Sequence, residues 1–95
     1  MKRYEGMFIV KPDMSKEELD KAVSSIQDII AKNGGKVDNF QKWARRQLAY
    51  SVKKYKEGEY YLVDFQAEPR SIVTIENAYR LNESILRTLI TVKET

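Results

Sequence analysis

Apolar positions along this chain repeat in two periods, and the alternation between them predicts six elements. Tyr4 to Val10 closes on the run Met7-Phe8-Ile9-Val10, which predicts a strand suited to burial on both faces. Pro12 and Asp13 break it. Ser15 stands as an N-cap, and Glu18 three residues on completes a capping box. Leu19, Ala22, Val23, Ile26, Ile29 and Ile30 then recur at helical spacing, predicting a helix over about 16–32 with one buried face. Asn33-Gly34-Gly35 supplies its exit, because glycine adopts the left-handed conformation at no steric cost.

From Lys36 the helical stripe is absent and strand formers dominate, so a long strand runs to about Val52. Lys53 to Gly58 reads as the turn, and Glu59 to Ala67 returns as a strand. Tyr61, Val63, Phe65 and Ala67 share one face of it; Tyr60, Leu62 and Asp64 share the other. Pro69 fits the first turn of a second helix, with Ile72, Ile75, Ala78 and Tyr79 facing inward. Asn82 to Ser84 is a connector and Ile85 to Val92 the last strand. The order βαββαβ, with right-handed crossovers and a central hairpin, predicts an α+β ferredoxin-like sandwich. Two helices cover one face of a four-stranded antiparallel sheet of order 4-1-3-2. No linker, repeat or low-complexity stretch divides the chain, so residues 1–95 form a single domain.

Charge changes the picture. Lys36 to Lys56 carries seven bases and one acid, Asp38, for a net +6; the remaining residues carry ten bases and thirteen acids, for a net −3. The positive excess therefore sits in the strand predicted at a sheet edge, interleaved with Phe40, Trp43, Tyr50 and Tyr55. Localised cations among aromatics suit phosphates, bases or a partner protein; a solvated, solubilising hairpin is the plainer alternative.

Other chemistries are poorly supplied. The chain has no Cys and no His, so disulfides, thiolates and the usual neutral-pH general base are excluded, and the commonest metal ligand is missing. Glu17, Glu18 and Asp20 favour a helix N-terminus. Glu5 and Asp64 could face each other on neighbouring strands, but no other catalytic group surrounds them. No phosphate-binding loop of the G-x-x-x-x-G-K-[ST] kind is present. The apolar run at Met7–Val10 is too short for a signal peptide or a membrane span, so a cytoplasmic setting without membrane contact is expected. Lys56 to Phe65 faintly resembles the aromatic strand of RNA recognition motifs, with the wrong glycine and aromatic spacing. A free-standing single-stranded RNA binder of that type is the alternative function. A small-molecule regulatory module and an acylphosphatase-like enzyme share the topology. Lys11-Pro12-Asp13 stands where the latter needs a phosphate-gripping arginine loop.

Trp43 to Lys53, reading WARRQLAYSVK, closely resembles the signature of the bacterial small-subunit ribosomal protein six family. Arg46, Gln47, Leu48, Ala49, Tyr50 and Lys53 match it; Ala44 stands where the family has Gly, and Val52 where it has Ile. Lys2 to Glu5 looks like the family's opening, Lys53 to Tyr60 like its hairpin with Gly58 in the turn, and Ser84 to Lys93 like its closing strand.

The resemblance implies a structural constituent of the bacterial small ribosomal subunit, with the same ferredoxin-like fold. It implies binding to the central domain of small-subunit ribosomal RNA as a heterodimer with small-subunit ribosomal protein eighteen. It implies no enzymatic activity, cofactor, metal or small-molecule substrate. On this reading Lys2, Arg3, Arg45, Arg46 and Arg87 contact RNA phosphate or sugar, and Lys53, Lys54 and Lys56 extend the field around the hairpin turn. Trp43, Tyr50 and Tyr60 are the candidates for the partner's surface, and Leu48 is expected in the core.

Overall fold

A computed structural model describes residues 1–52 and 55–93, with side chains at all of these except 44, 46 and 49–52. Its elements run β1 (Lys2–Val10), α1 (Lys16–Lys32), β2 (Lys36–Val52), β3 (Tyr55–Ala67), α2 (Ile72–Arg80) and β4 (Ile85–Val92). A 3-10 turn, Pro69–Ser71, leads into α2, so Pro69 initiates that helix one turn before its regular part. The sheet order is β2-β3-β1-β4, all pairs antiparallel, which is the expected ferredoxin-like arrangement.

The local signals act as their chemistry requires. Ser15 Oγ accepts from the Glu18 N–H at 3.2 Å, and the Ser15 N–H donates to Glu18 Oε1 at 3.3 Å, so the box closes both ways. α1 ends at Asn33, and Gly34 takes φ 78°, the left-handed turn that frees the chain to start β2.

The core lies between the helices and one face of the sheet. β1 contributes Tyr4, Phe8 and Val10, and β3 contributes Tyr61, Val63, Phe65 and Ala67. α1 sets Ala22, Ile26 and Ile30 against them, and α2 sets Ile75 and Tyr79. Tyr79 is the largest fully buried side chain. Its ring meets Phe8 edge-on at 4.8 Å between centroids, and its hydroxyl donates to the Ile26 carbonyl at 2.6 Å. That bond ties α2 to α1 through the middle of the core, while Asn82 Nδ2 donates to Ser25 Oγ at 3.1 Å across the top of it.

Two boundaries differ from the sequence expectation. β1 begins at Lys2, because Lys2 and Arg3 already pair with Ala67 and Gln66. β3 begins at Tyr55, not Glu59, and Val52 pairs with Tyr55, so Glu57 and Gly58 lie inside the strand. Gly58 is there for space and not for a turn: a Cβ on it would overlap Ile9 Cγ2, which packs on the open face of β1. Leu48 is half-buried on the hairpin rather than fully enclosed in the core.

Two outcomes follow from this packing. Burial raises the Tyr79 phenol well above its ordinary value of 10.0, and burial followed by Glu59 and Asp20 raises Tyr61 in the same direction. The unfolded chain therefore ionises first, so stability is full below pH 10 and falls as pH rises beyond it. Tyr79→Phe removes one buried hydrogen bond worth ~1 kcal/mol and lowers the melting midpoint by ~4–8 °C, while flattening the alkaline decline. An unaltered midpoint in thermal scans at neutral pH would refute that role. Gly58→Ala destabilises by ~1–3 kcal/mol through overpacking against Ile9, readable as a shift in urea midpoint at constant slope.

Candidate nucleic-acid interface

The β2–β3 hairpin is longer than the sheet that carries it. β3 pairs with β1 only as far as Val10 opposite Glu59, whereas β2 and β3 pair onward to Val52 opposite Tyr55. The far end is thus a two-stranded arm, on which the described residues place Arg46 and Lys56 of the basic segment, with Arg45 at its base. A two-stranded ribbon alone is marginal in water, so its base needs support.

Arg45 supplies that support. Its Nη2 lies 2.9 Å from Asp13 Oδ1 and 2.8 Å from Glu57 Oε2, and its Nε donates to the same Glu57 oxygen at 3.2 Å. Asp13 reaches it from the β1–α1 loop, where a left-handed φ of 61° follows Pro12. The hydrogen bonds to Glu57 and then Asp13 push the guanidinium further above its ordinary value, so it remains cationic. Alongside, Lys11 Nζ sits 5.9 Å over the Tyr55 ring, and Lys42 Nζ lies 3.6 Å from Glu59 Oε2. Arg45, Asp13 and Glu57 are solvent-exposed, and exposed ion pairs exchange partners readily, whereas the Glu59 side chain is only 13% exposed.

The predicted cations do not gather into one patch. Arg3 and Arg87 both lie on the sheet face away from the helices, since Arg3 pairs with Gln66 and Arg87 with Ile9. Those two rows lie six steps apart on β1, roughly 20 Å along the strand. Lys2, opposite buried Ala67, points to the helix side at the same end as Arg3. Arg45, in register with Glu59, also lies on the helix side, among carboxylates. Lys56 is exposed on the arm. The Arg46 and Tyr50 side chains, and Lys53 and Lys54 entirely, lie outside the described residues.

Trp43 and Tyr60 do come together. Trp43 occupies the irregular step between Lys42 and Ala44 in the β2 register, which turns it onto the open face. Its ring meets Tyr60 edge-on at 6.3 Å, and it remains 51% exposed. The open face around this pair is ordered in rows. Arg87, Ile9 and Tyr60 form one, and Leu89, Met7 and Leu62 the next. Thr91, Glu5 and Asp64 form a third, with Lys93 Nζ 3.0 Å from Asp64 Oδ2. The centre is thus apolar, grading into an acidic pair of which Asp64 is matched by Lys93. Central strands that present Met7, Glu5, Leu62 and Asp64 do not form the aromatic stacking platform of a recognition-motif RNA binder.

Sequence reasoning missed Asp13, Glu57 and Lys93. Pro12-Asp13 announces a turn and says nothing of a charge partner 32 positions on. With the turn placed over 53–58, Glu57 could not be seen as a diagonal cross-strand neighbour of Arg45. Among the described residues no helix is long and apolar enough to cross a membrane, and no three metal-ligating side chains cluster.

Comparison with known proteins agrees with this geometry. The family described as ribosomal protein S6 matches residues 3–92. The small ribosomal subunit protein bS6 of Helicobacter pylori (strain P12) is 40% identical over 90 residues, which is 95% of this chain and 63% of that protein. The chain thus spans just under two thirds of the Helicobacter relatives' length. The bS6 of Thermoanaerobacter pseudethanolicus is 37% identical over 90 residues, 95% of each chain. The crystal structure of 30S ribosomal protein S6 from Thermotoga maritima superposes with a TM-score of 0.87 at 31% identity, covering 97% of this chain and 87% of the other. Fold and sequence therefore agree that this chain belongs to the ribosomal protein S6 family.

Proposed function

We propose that this chain is a structural constituent of the bacterial small ribosomal subunit. In this role it binds the central domain of the subunit's RNA together with small-subunit ribosomal protein eighteen, in the cytoplasm, with no catalytic step. Membership of the S6 family supports the setting. The single observation that carries the mechanism is the uncovered sheet face: an apolar centre around Trp43, Tyr60, Leu62 and Leu89, with cations at its two ends. A face of that kind divides labour. The apolar centre docks a protein, and the flanking cations bind a polyanion.

On the RNA side the reading assigns phosphate contacts to two groups. Arg87 and the arm residues Arg46, Lys53, Lys54 and Lys56 form one; Lys2 and Arg3 form the other. Arg45 is best read as a positioning residue, which reaches a phosphate only by giving up Asp13 or Glu57. A-form RNA hides its bases in a narrow major groove, so two separated cation groups measure backbone shape and spacing instead of sequence. So few contacts bind weakly alone at physiological salt, and a partner protein adds contacts while holding the geometry. On the protein side, Trp43 and Tyr60 are the anchors, with Tyr50 assigned to the same surface from sequence.

Two experiments test the halves separately. Combining Lys53→Ala, Lys54→Ala and Lys56→Ala should weaken binding to a central-domain RNA fragment in the presence of protein eighteen. It should also reduce the salt slope by about 2, at ~0.7–0.9 per phosphate lost. An unchanged slope removes the arm from the RNA contact. Trp43→Ala should cut affinity for protein eighteen by ~30-fold or more, as expected for a truncated anchor, without moving the melting midpoint. Wild-type affinity in calorimetry would sink the assignment of that face.

A further inference from the structure

We infer that the outer edge of β4 is a self-pairing surface, through which two copies of this chain associate by antiparallel strand addition about a twofold axis at Leu89. This goes beyond the ribosomal reading and does not depend on it.

β4 is a terminal strand of the sheet and, among the described residues, pairs only with β1. The direction of its backbone groups follows from one bond. The Lys93 N–H donates to the Arg3 carbonyl at 2.9 Å, and in antiparallel ladders hydrogen-bonded and non-bonded pairs alternate. Thr91, Leu89 and Arg87 therefore also turn their backbone toward β1, while Val92, Ile90 and Thr88 turn theirs outward. The register is regular over this stretch, since its one shift lies between Ile9 and Val10 at the strand's start.

The two edges of the sheet are defended very differently. β2 carries Lys36, Lys42, Arg45 and Arg46, and its pairing shifts register between Val37 and Asn39 and again between Lys42 and Ala44. Charges and bulges are the usual protection against pairing with another chain. β4, ILRTLITV, has one charge, no proline and no irregularity beyond its first residues, and it is rich in β-branched side chains. Leu89 is 51% exposed and Val92 57%.

The occupant is selected by the pattern of β4 itself. Residues that face each other across a new ladder must lie on the same side of the sheet, which limits the possible axes. An axis at Ile90 sets Arg87 opposite Lys93 of the second copy, two like charges. An axis at Thr88 shortens the ladder. With the axis at Leu89, Thr88 meets Ile90 of the second copy, and both carry outward backbone groups. Arg87 meets Thr91, and Leu89 meets its own twin; the regular ladder ends before Leu86, which lies at the register shift. No like charges oppose, and exposed Leu89 is covered by its twin across the axis. The contact is isologous and the β2 edges stay protected, so assembly closes at two copies.

Sedimentation of the purified full chain across micromolar to millimolar concentrations tests this. The weight-average mass should rise from 11.1 kDa toward twice that value. Leu89→Lys, at a half-exposed position, puts like charges on the axis; Thr88→Pro removes an outward N–H and leaves the β1–β4 ladder intact. Both should hold the mass at the monomer value, with unchanged circular dichroism. Should Thr88→Pro fail to fold, Leu89→Lys decides alone. In hydrogen exchange, the Thr88 and Ile90 amides should gain protection with concentration, while the Leu89 amide is protected throughout. A wild-type chain that stays monomeric over the whole range overturns the inference, and so do variants that dimerise as the wild type does.

Discussion

Phe8, Ile26 and Tyr79 meet beneath the sheet, and the rest of the molecule is arranged around that meeting. Phe8 comes from the central strand β1, Ile26 from α1 and Tyr79 from α2, so one contact joins both helices to the middle of the sheet. The Tyr79 hydroxyl is the one polar atom taken into this apolar volume by the trio, and its bond to the Ile26 carbonyl is what makes that burial tolerable. Because both helices are drawn to this face, neither is left for the other. The open face is thus a consequence of how the core is satisfied, and it must be kept soluble or given a partner.

The sheet handles its two faces and two edges with different chemistry. Toward the helices, period-two alternation in β1 and β3 places large apolar groups in contact with the helical stripes. Away from them, the same alternation yields an apolar centre, an acid pair held by Lys93, and arginines at the ends. β2 is irregular and cationic, features that discourage strand addition and suit a polyanion. β4 is regular and nearly uncharged, which has the opposite effect. A single twisted sheet therefore offers an apolar platform, a basic arm and an open ladder, each made by different strands of it.

The fold was legible because its signals are local and redundant. The capping box at Ser15, the apolar stripe of α1, the glycine exit and the β3 alternation each point to one element, and together they leave one topology. The site was legible only in part. Aromatics and cations mark Trp43 and the arm by composition, but composition cannot say which side of a strand a residue takes when the pairing register slips. Two irregular steps in β2 do this: the one between Val37 and Asn39 reverses the alternation begun at Lys36, so that Lys42 faces the helices, and the one between Lys42 and Ala44 restores it, leaving Trp43 on the open face and Arg45 on the helix side. Gly58 misled for a related reason. A glycine after a lysine run signals a turn, yet here it answers a steric demand from Ile9, a residue 49 positions away in the chain.

Arg45 shows how charge and rigidity trade against each other in such an arm. A freely moving cationic ribbon has the right charge for RNA but loses conformational freedom on binding, a cost set against each contact it makes. Asp13 and Glu57 take one guanidinium out of that role and use it to fix the base of the ribbon to the β1–α1 loop, with Lys11 on the Tyr55 ring as a second tie. One cation is then engaged by carboxylates at rest, while exposed Lys56 lies beyond the tied base. Since the ties are exposed and weak, they limit the arm's excursions without locking it. On the proposed RNA reading, restraint at the base lowers the ordering cost that each contact made beyond it must offset.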